Sequence, residues 1–294
     1  MKWVNKLATA ARKPKTAVLW LWTQYNREIR GQTGINVPGA DWDNLVILDA
    51  CRYDLFEELH TFSGELSSVI SRGSNTVEWL QNNFTDDEYA DIVYVTANGN
   101  LSYLDAEFCD RIRLMDPNHS DDSWDDELKI VPPAAVVDAA LDALAQYPEK
   151  RLIIHFLQPH QPFVGPTGQQ LNNEGLLEHD EYGTNFWRHV EEGRVDEARV
   201  RKAYRENFEY VVPHVERLLD GLAGKTVVTS DHGNAFGRLG TYGHPQGRYL
   251  DGLVRVPWLE IEGERRTITK GTAAEGSAEH TDELEDRLKD LGYV

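Results

Sequence analysis

Residues 225–233 read KTVVTSDHG, an apolar, β-branched run that ends in a serine, an aspartate and a histidine. A run of this kind predicts a strand covered on both faces, with its polar residues arriving only at the carboxyl end. The pattern recurs along the chain. LVILD (45–49) climbs through four aliphatic residues to Asp49, DIVYVTAN (91–98) supplies β-branched bulk, and RLIIHFLQP (151–159) carries His155 before Pro159 stops it. VRVPWLEI (254–261) is the last such run. Between them lie helix-period segments: Tyr53 to His60, the proline-opened PPAAVVDAALDALAQY (132–147), and Val195 to Leu222. Strands alternating with helices predict an α/β domain with a mostly parallel central sheet and helices on both faces.

In open sheets of this class, ligands bind beyond the carboxyl ends of the strands. Asp49, the pair Asp231–His232, His155 and His160 all arrive there, and His244 follows in YGHP (242–245). Carboxylate combined with imidazole is a donor set for zinc, manganese or iron rather than a calcium cage. Taken singly, each residue fits a satisfied structural role, and His155 in particular fits a strand residue hydrogen-bonded in the core. Their joint placement is what points to a metal.

Composition narrows the function classes. The 294 residues include 30 basic and 49 acidic side chains, a formal charge of −19. Such a surface repels phosphate backbones, which excludes a nucleic-acid partner. The acids are spread along the whole chain, a pattern that reads as a halophile-type surface. Two cysteines, Cys51 and Cys109, form no CxxC pair and fit a reducing, cytoplasmic compartment. The early apolar run from Ala17 to Trp22 is too short for a membrane span. Lys2, Lys6, Arg12, Lys13 and Lys15 occur with no acid among the first fifteen residues, near Trp3, Trp20 and Trp22. They read as an amphipathic helix on the body of the protein, or as a weak contact with an anionic membrane surface, peripheral to its inner face. The organisation expected is a basic helical segment over 1–35, one domain over 36–262 with a polar lid or insertion at about 165–194, and an acidic tail over 263–294. That tail ends in a short helix at Asp282–Leu291.

Asp49, HFLQPHQPF (155–163), SDHGNAFG (230–237) and GHPQG…VRVP (243–257), in that order along the chain, resemble the alkaline-phosphatase superfamily, most closely its sulfatase-like branch. The resemblance spans about Asp43 to Leu259. It implies a sulfatase-like α/β fold and a metal-dependent hydrolase, or head-group transferase, acting on phosphate or sulfate esters of small molecules, glycans or lipids. By position, Asp49, Asp231 and His232 would hold a divalent ion, zinc or manganese before calcium or magnesium, with one or two ions per chain. His160 would contact the ester oxygens or complete a second metal site. His244 would be a second-site ligand or the acid for the leaving group, and His155 is a further candidate ligand.

The family attacks with a Thr, Ser or modified Cys at the start of a helix. The matching stretch is VISRGSNTVEWLQNNF (69–84), in which Ser74, ranked ahead of Thr76, would open the helix as nucleophile. The same hydroxyls also suit a plain helix cap. The C/S-x-P-x-R motif that true sulfatases convert to formylglycine is absent, and Gln246 stands where sulfatases carry a lysine. Arg72 or Arg248 could stand in for the lost cation, although each also fits an ordinary surface role. These departures shift the expected substrate from sulfate to phosphate-type esters. The alternatives are a sulfatase working without formylglycine and a degenerate member that binds metal or an anion without turnover. A cysteine hydrolase built on Cys51 lacks an assignable base.

Overall fold

The computed structural model describes residue 25 and residues 33–84, 89–98, 109–114, 123–176 and 186–269. Most of the basic 1–35 segment and the helix expected at Asp282–Leu291 lie outside the described residues. The strands are β1 (Asn44–Leu48), β2 (Glu65–Ile70), β3 (Tyr89–Thr96), β4 (Cys109–Leu114), β5 (Arg151–Phe156), β6 (Thr226–Thr229), β7 (Ala235–Phe236), β8 (Tyr242–Gly243) and β9 (Arg255–Ile261). The helices are α1 (Tyr53–Leu59), α2 (Thr76–Asn83), α3 (Pro133–Gln146), α4 (Pro166–Asn173), α5 (Phe186–Glu191), α6 (Glu197–Gly221) and α7 (Asp251–Val254).

Among the described residues, seven strands form one sheet in the order β2-β9-β6-β1-β5-β3-β4. From β6 to β4 every neighbouring pair is parallel, while β9 runs antiparallel to both β6 and β2. The expected mostly parallel sheet is therefore present. β2 and β4 were not foreseen: ELSSVI and CDRIRL interleave polar residues and lack the continuous apolar signature of the central strands. β6 is also shorter than its sequence suggests, ending at Thr229 before the turn that presents Ser230, Asp231 and His232.

The pleat sorts the core. Val46, Leu48, Val93, Val95, Leu152 and Ile154 face the layer formed by α3 and α6. Leu45, Ile47, Ile92, Tyr94, Ile153 and Val227 face the other way, onto Trp79 and Leu80 of α2 and Phe84 just after it. Successive residues of a strand point to opposite faces, so the parity of each strand fixes which polar residue emerges over α2. Positions 45, 47 and then 49 share the α2 face. So do 227, 229 and 231; 92, 94, 96 and 98; and 153 and 155. Four adjacent strands thus deliver Asp231, Asp49, His155 and Asn98 to one face at one end of the sheet.

At the opposite, amino end, Arg266 crosses the strand starts. Its guanidinium donates to the carbonyl oxygens of Pro148, Lys150 and Asp43 and to Asn44 Oδ1 at 2.7–3.0 Å. The stretch expected as a lid contributes α4 and α5. Phe186, Trp187 and Val190 of α5 pack with Phe163, Leu171, Tyr204 and Phe236 in a small separate core beside the β7–β8 hairpin.

Candidate active site

Asp49 is fully buried just beyond β1. Asn98 Nδ2 donates to its Oδ2, while its Oδ1 has no hydrogen-bond partner. Asp231 Oδ1 accepts the backbone N–H groups of Ala50 (3.1 Å) and His232 (2.9 Å), while its Oδ2 also has none. His155 Nδ1 meets the Tyr94 hydroxyl at 2.9 Å, leaving Nε2 unpartnered. These three orphaned atoms belong to three residues whose ligand atoms lie within 4.8 Å of one another. The register explains the depth of His155: it pairs with Ile47 and Thr96, one pleat below Asp49 and Asn98, and forms the floor of the cluster.

His232 closes the other side. Its Nδ1 lies 2.8 Å from the Gly233 carbonyl and must donate to it, so Nε2 presents a lone pair. That nitrogen stands 3.5 Å from Asp49 Oδ1, 3.4 Å from Asp231 Oδ2 and 3.3 Å from Thr76 Oγ1. Buried polar atoms normally find partners, and a concentration of unpaired oxygens and nitrogens is the arrangement a cation would complete. The donor set, two carboxylates with one or two imidazoles, fits zinc or manganese.

The electrostatics agree. Burial, and then the neighbouring Asp231 carboxylate, hold Asp49 well above the usual carboxylate range. Burial also pushes Asp231 upward, but His232, His155 and the Ala50 N–H together bring it below its ordinary value. Two carboxylates this close divide in this way when no cation stands between them. Burial pushes the imidazole of His155 down to about 4, so it is neutral and available as a ligand at neutral pH.

α2 begins at Thr76, and its N-cap is Asn75, whose side chain accepts the Glu78 N–H at 2.8 Å. Neither expected hydroxyl is the cap. They also face different ways. Ser74 Oγ donates to Glu78 Oε2 at 2.7 Å and accepts from Arg248 N, on the side away from the carboxylates. Thr76 Oγ1 faces His232 and lies 3.4 Å from Asn98 Nδ2. Gly73 allows the close approach of this turn to its own helix, since a Cβ there would lie 2.3 Å from Trp79 N. Arg72 is engaged with the Gly34 and Asn82 carbonyls and serves the turn rather than the cluster.

His160 and His244 meet at the rim, Nε2 to Nε2, at 2.9 Å. The rings of His232 and His244 are 4.7 Å apart, which joins the pair to the carboxylate cluster. Both rim rings are half-buried by exposed area yet crowded by neighbouring atoms. Burial first, and then His232, depress both, His160 to about 4 and His244 well below its ordinary range. His160 Nδ1 donates to the Gln161 carbonyl, so the proton shared by the pair sits on His244 Nε2. Asn98 and Tyr94 are the members that motif reading missed. Strand parity would have found both, because DIVYVTAN places Tyr94 and Asn98 on the face of Asp49.

No family model matches the chain, and no curated protein matches it. Solved structures resemble it distantly. The C-terminal periplasmic domain of EptC from Escherichia coli, in complex with zinc, aligns over 80% of this chain and 76% of its own length, with 17% identity and a TM-score of 0.48. The corresponding domain of phosphoethanolamine transferase EptC from Campylobacter jejuni aligns over 74% and 78%, with 13% identity and a TM-score of 0.48. The integral membrane lipooligosaccharide phosphoethanolamine transferase EptA from Neisseria meningitidis aligns over 75% of this chain, with 14% identity and a TM-score of 0.46, and the aligned part is 47% of that longer protein.

Proposed function

We propose that the protein is a metal-dependent enzyme of the alkaline-phosphatase and sulfatase-like type that transfers the phosphoryl-type group of a phosphate ester through Thr76. The acceptor is water, or the hydroxyl of a lipid or glycan. The observation that carries this reading is the position of Thr76. Its hydroxyl stands at the first turn of α2, within 3.3 Å of His232 Nε2 and beside the unpartnered oxygens of Asp49 and Asp231.

A bound divalent cation, held by Asp49, Asp231 and His232 with His155 beneath, would lower the pKa of that hydroxyl and offset charge on the phosphoryl oxygens. The chain's own groups supply the rest. Asp231, beside Thr76, would receive the hydroxyl proton as the Thr76 Oγ–phosphorus bond forms and the bond to the leaving oxygen breaks. Asn98 orients Asp49 and reaches Thr76 Oγ1. The His160–His244 pair holds one proton at the rim, where a leaving alkoxide would take it. The acceptor hydroxyl then attacks phosphorus, its proton passing to the His160–His244 pair, as the Thr76 Oγ–phosphorus bond breaks and Asp231 returns the proton to Thr76.

Ser74 is the weaker nucleophile on this geometry, since Glu78 and Arg248 occupy it. The test is metal analysis followed by turnover of aryl phosphate, phosphodiester, phosphonate and aryl sulfate in molar salt. Thr76→Ala is expected to lower kcat on the preferred phosphate ester by about 10⁴-fold or more while leaving metal bound. Turnover retained in Thr76→Ala rules out the covalent route, and activity confined to aryl sulfate rules out the substrate class.

A further inference from the structure

The long helix α6 turns a stripe of Val200, Ala203, Phe208, Val211, Val215 and Leu218 into the core. Two polar residues, Tyr204 and Asn207, interrupt that stripe one turn apart, and both are buried. A primary amide buried in an apolar stripe is costly unless its hydrogen bonds are met. Asn207 meets all of its own with a single loop. Its Oδ1 accepts Val164 N at 2.8 Å, and its Nδ2 faces the carbonyl oxygens of His160 (2.8 Å), Pro162 (3.0 Å) and Pro159 (3.4 Å). Tyr204 does the same for the turn after Asp49, donating to Ala50 O at 2.6 Å and accepting from Arg52 N at 3.0 Å. The two gripped segments are joined by His160 N, which donates to Asp49 O at 3.1 Å.

We infer that Tyr204 and Asn207 are positioning residues of the site: a two-residue brace on α6 that sets Asp49 and His160 in register with each other. The inference rests on the role proposed above for those two residues. Hydrophobic periodicity alone gives no reason for an asparagine at this position, and the grip on His160 supplies one. The turn after Asp49 needs the same help. Ala50 has a left-handed backbone (φ 59), unfavourable for a residue with a Cβ, and Tyr204 and Asp231 bind its carbonyl and its N–H.

The test uses Tyr204→Phe, Asn207→Asp and, as a control on the same helical stripe, Val211→Ala, with zinc content, melting temperature, and kcat and KM on p-nitrophenyl phosphate as readouts. Asn207→Asp keeps the size and the acceptor for Val164 N but exchanges N–H donors for an oxygen that repels three carbonyls. Expected are folded, zinc-loaded proteins in which kcat falls about 100-fold for Asn207→Asp and less for Tyr204→Phe, with KM within about threefold. Adding His160→Ala to Asn207→Asp should cost no more than His160→Ala alone, because both changes act on one element. Val211→Ala lowers the melting temperature without lowering kcat.

A wild-type kcat in Asn207→Asp overturns the brace, and so does an equal kcat loss in Val211→Ala or a multiplicative double variant. Tyr204→Phe, which loses one oxygen atom, carries the test if Asn207→Asp does not fold. A failure of the underlying reading looks different: His160→Ala would turn over substrate like the wild type. If the wild type is inert toward this probe, ring-nitrogen NMR of the histidines replaces kinetics. His160 signals then shift in Asn207→Asp and stay in place in Val211→Ala, and unshifted His160 signals in Asn207→Asp overturn the inference.

Discussion

Asp43 and Asp49 flank the same strand, and both are buried. Asp43, at the amino end, is crowded with donors. Its Oδ2 accepts Lys225 N at 2.8 Å and Arg266 N at 3.3 Å, and the Arg265 guanidinium lies 3.6 Å away. Asp49, at the carboxyl end, has one oxygen bound by Asn98 and one with no hydrogen bond at all. Its nearest charged neighbour is another carboxylate with the same deficiency. The difference separates two uses of a buried acid. One is saturated by the chain and fastens it, while the other is left short by the chain and waits for something from outside.

The sharpest way to break this comparison is to remove the shortage. Asp231→Asn is expected to lower zinc affinity by about 10³-fold, beyond the 10–100-fold typical of an outer-shell partner. The chelator-treated variant should melt no lower than chelator-treated wild type, because a repelling pair has been removed. Undiminished metal content by mass spectrometry would refute the site. The reverse result is expected at the amino end. Asp43→Ala should cost about 3 kcal/mol in urea unfolding, since it strands buried donors, while leaving zinc affinity within about threefold. Loss of zinc there would mean the two ends are not separate.

A subtler test uses pH on metal-free Asp49→Asn, which leaves the histidines as the main shifted groups. His155 titrates near 4 when folded and near 6.5 when unfolded. The unfolded chain therefore binds more protons between those values. From this group, stability is fully present above about 6.5 and is lost as pH falls toward 4, by about 3 kcal/mol. In the metal-free wild type, Asp49 acts with the opposite sign. Its raised value adds stability at acid pH that disappears as pH rises through the folded value. Urea unfolding across this window in both proteins measures the two slopes, and a flat profile in the variant would count against a neutral, buried His155.

Much of this was legible in the sequence. The apolar runs identified β1, β3, β5, β6 and β9, and their polar carboxyl ends identified Asp49, Asp231, His232 and His155. Chain position ranked Ser74 ahead of Thr76, whereas Thr76 is the hydroxyl that faces His232 and Ser74 faces Glu78. Two residues apart at a helix start, they diverge because Asn75 takes the cap and Glu78 holds Ser74. That outcome depends on three-dimensional partners with no local signature. Asn207 was hidden for a related reason: its partners lie 43–48 positions earlier in the chain, and in the helical pattern it registers only as a flaw. Asn98 needed no distant information, only the two-residue count along β3, the same count that on β1, β5 and β6 carries Asp49, His155 and Asp231 to that face.

Ala50 sets the stiffness of the turn that carries Asp49. A glycine would take its left-handed conformation freely, and would also let the turn leave it. Alanine, bound through both its N–H and its carbonyl, makes the turn stiff, so Asp49 is already aimed before any ion arrives. Metal uptake by this protein should then resemble a key entering a cut lock rather than a chain folding around its ion, as small zinc-dependent domains do. The thermodynamic trace of that difference is a small heat-capacity change on binding, with backbone amide spectra of the chelated and loaded forms nearly superimposable outside the immediate neighbourhood of the ion.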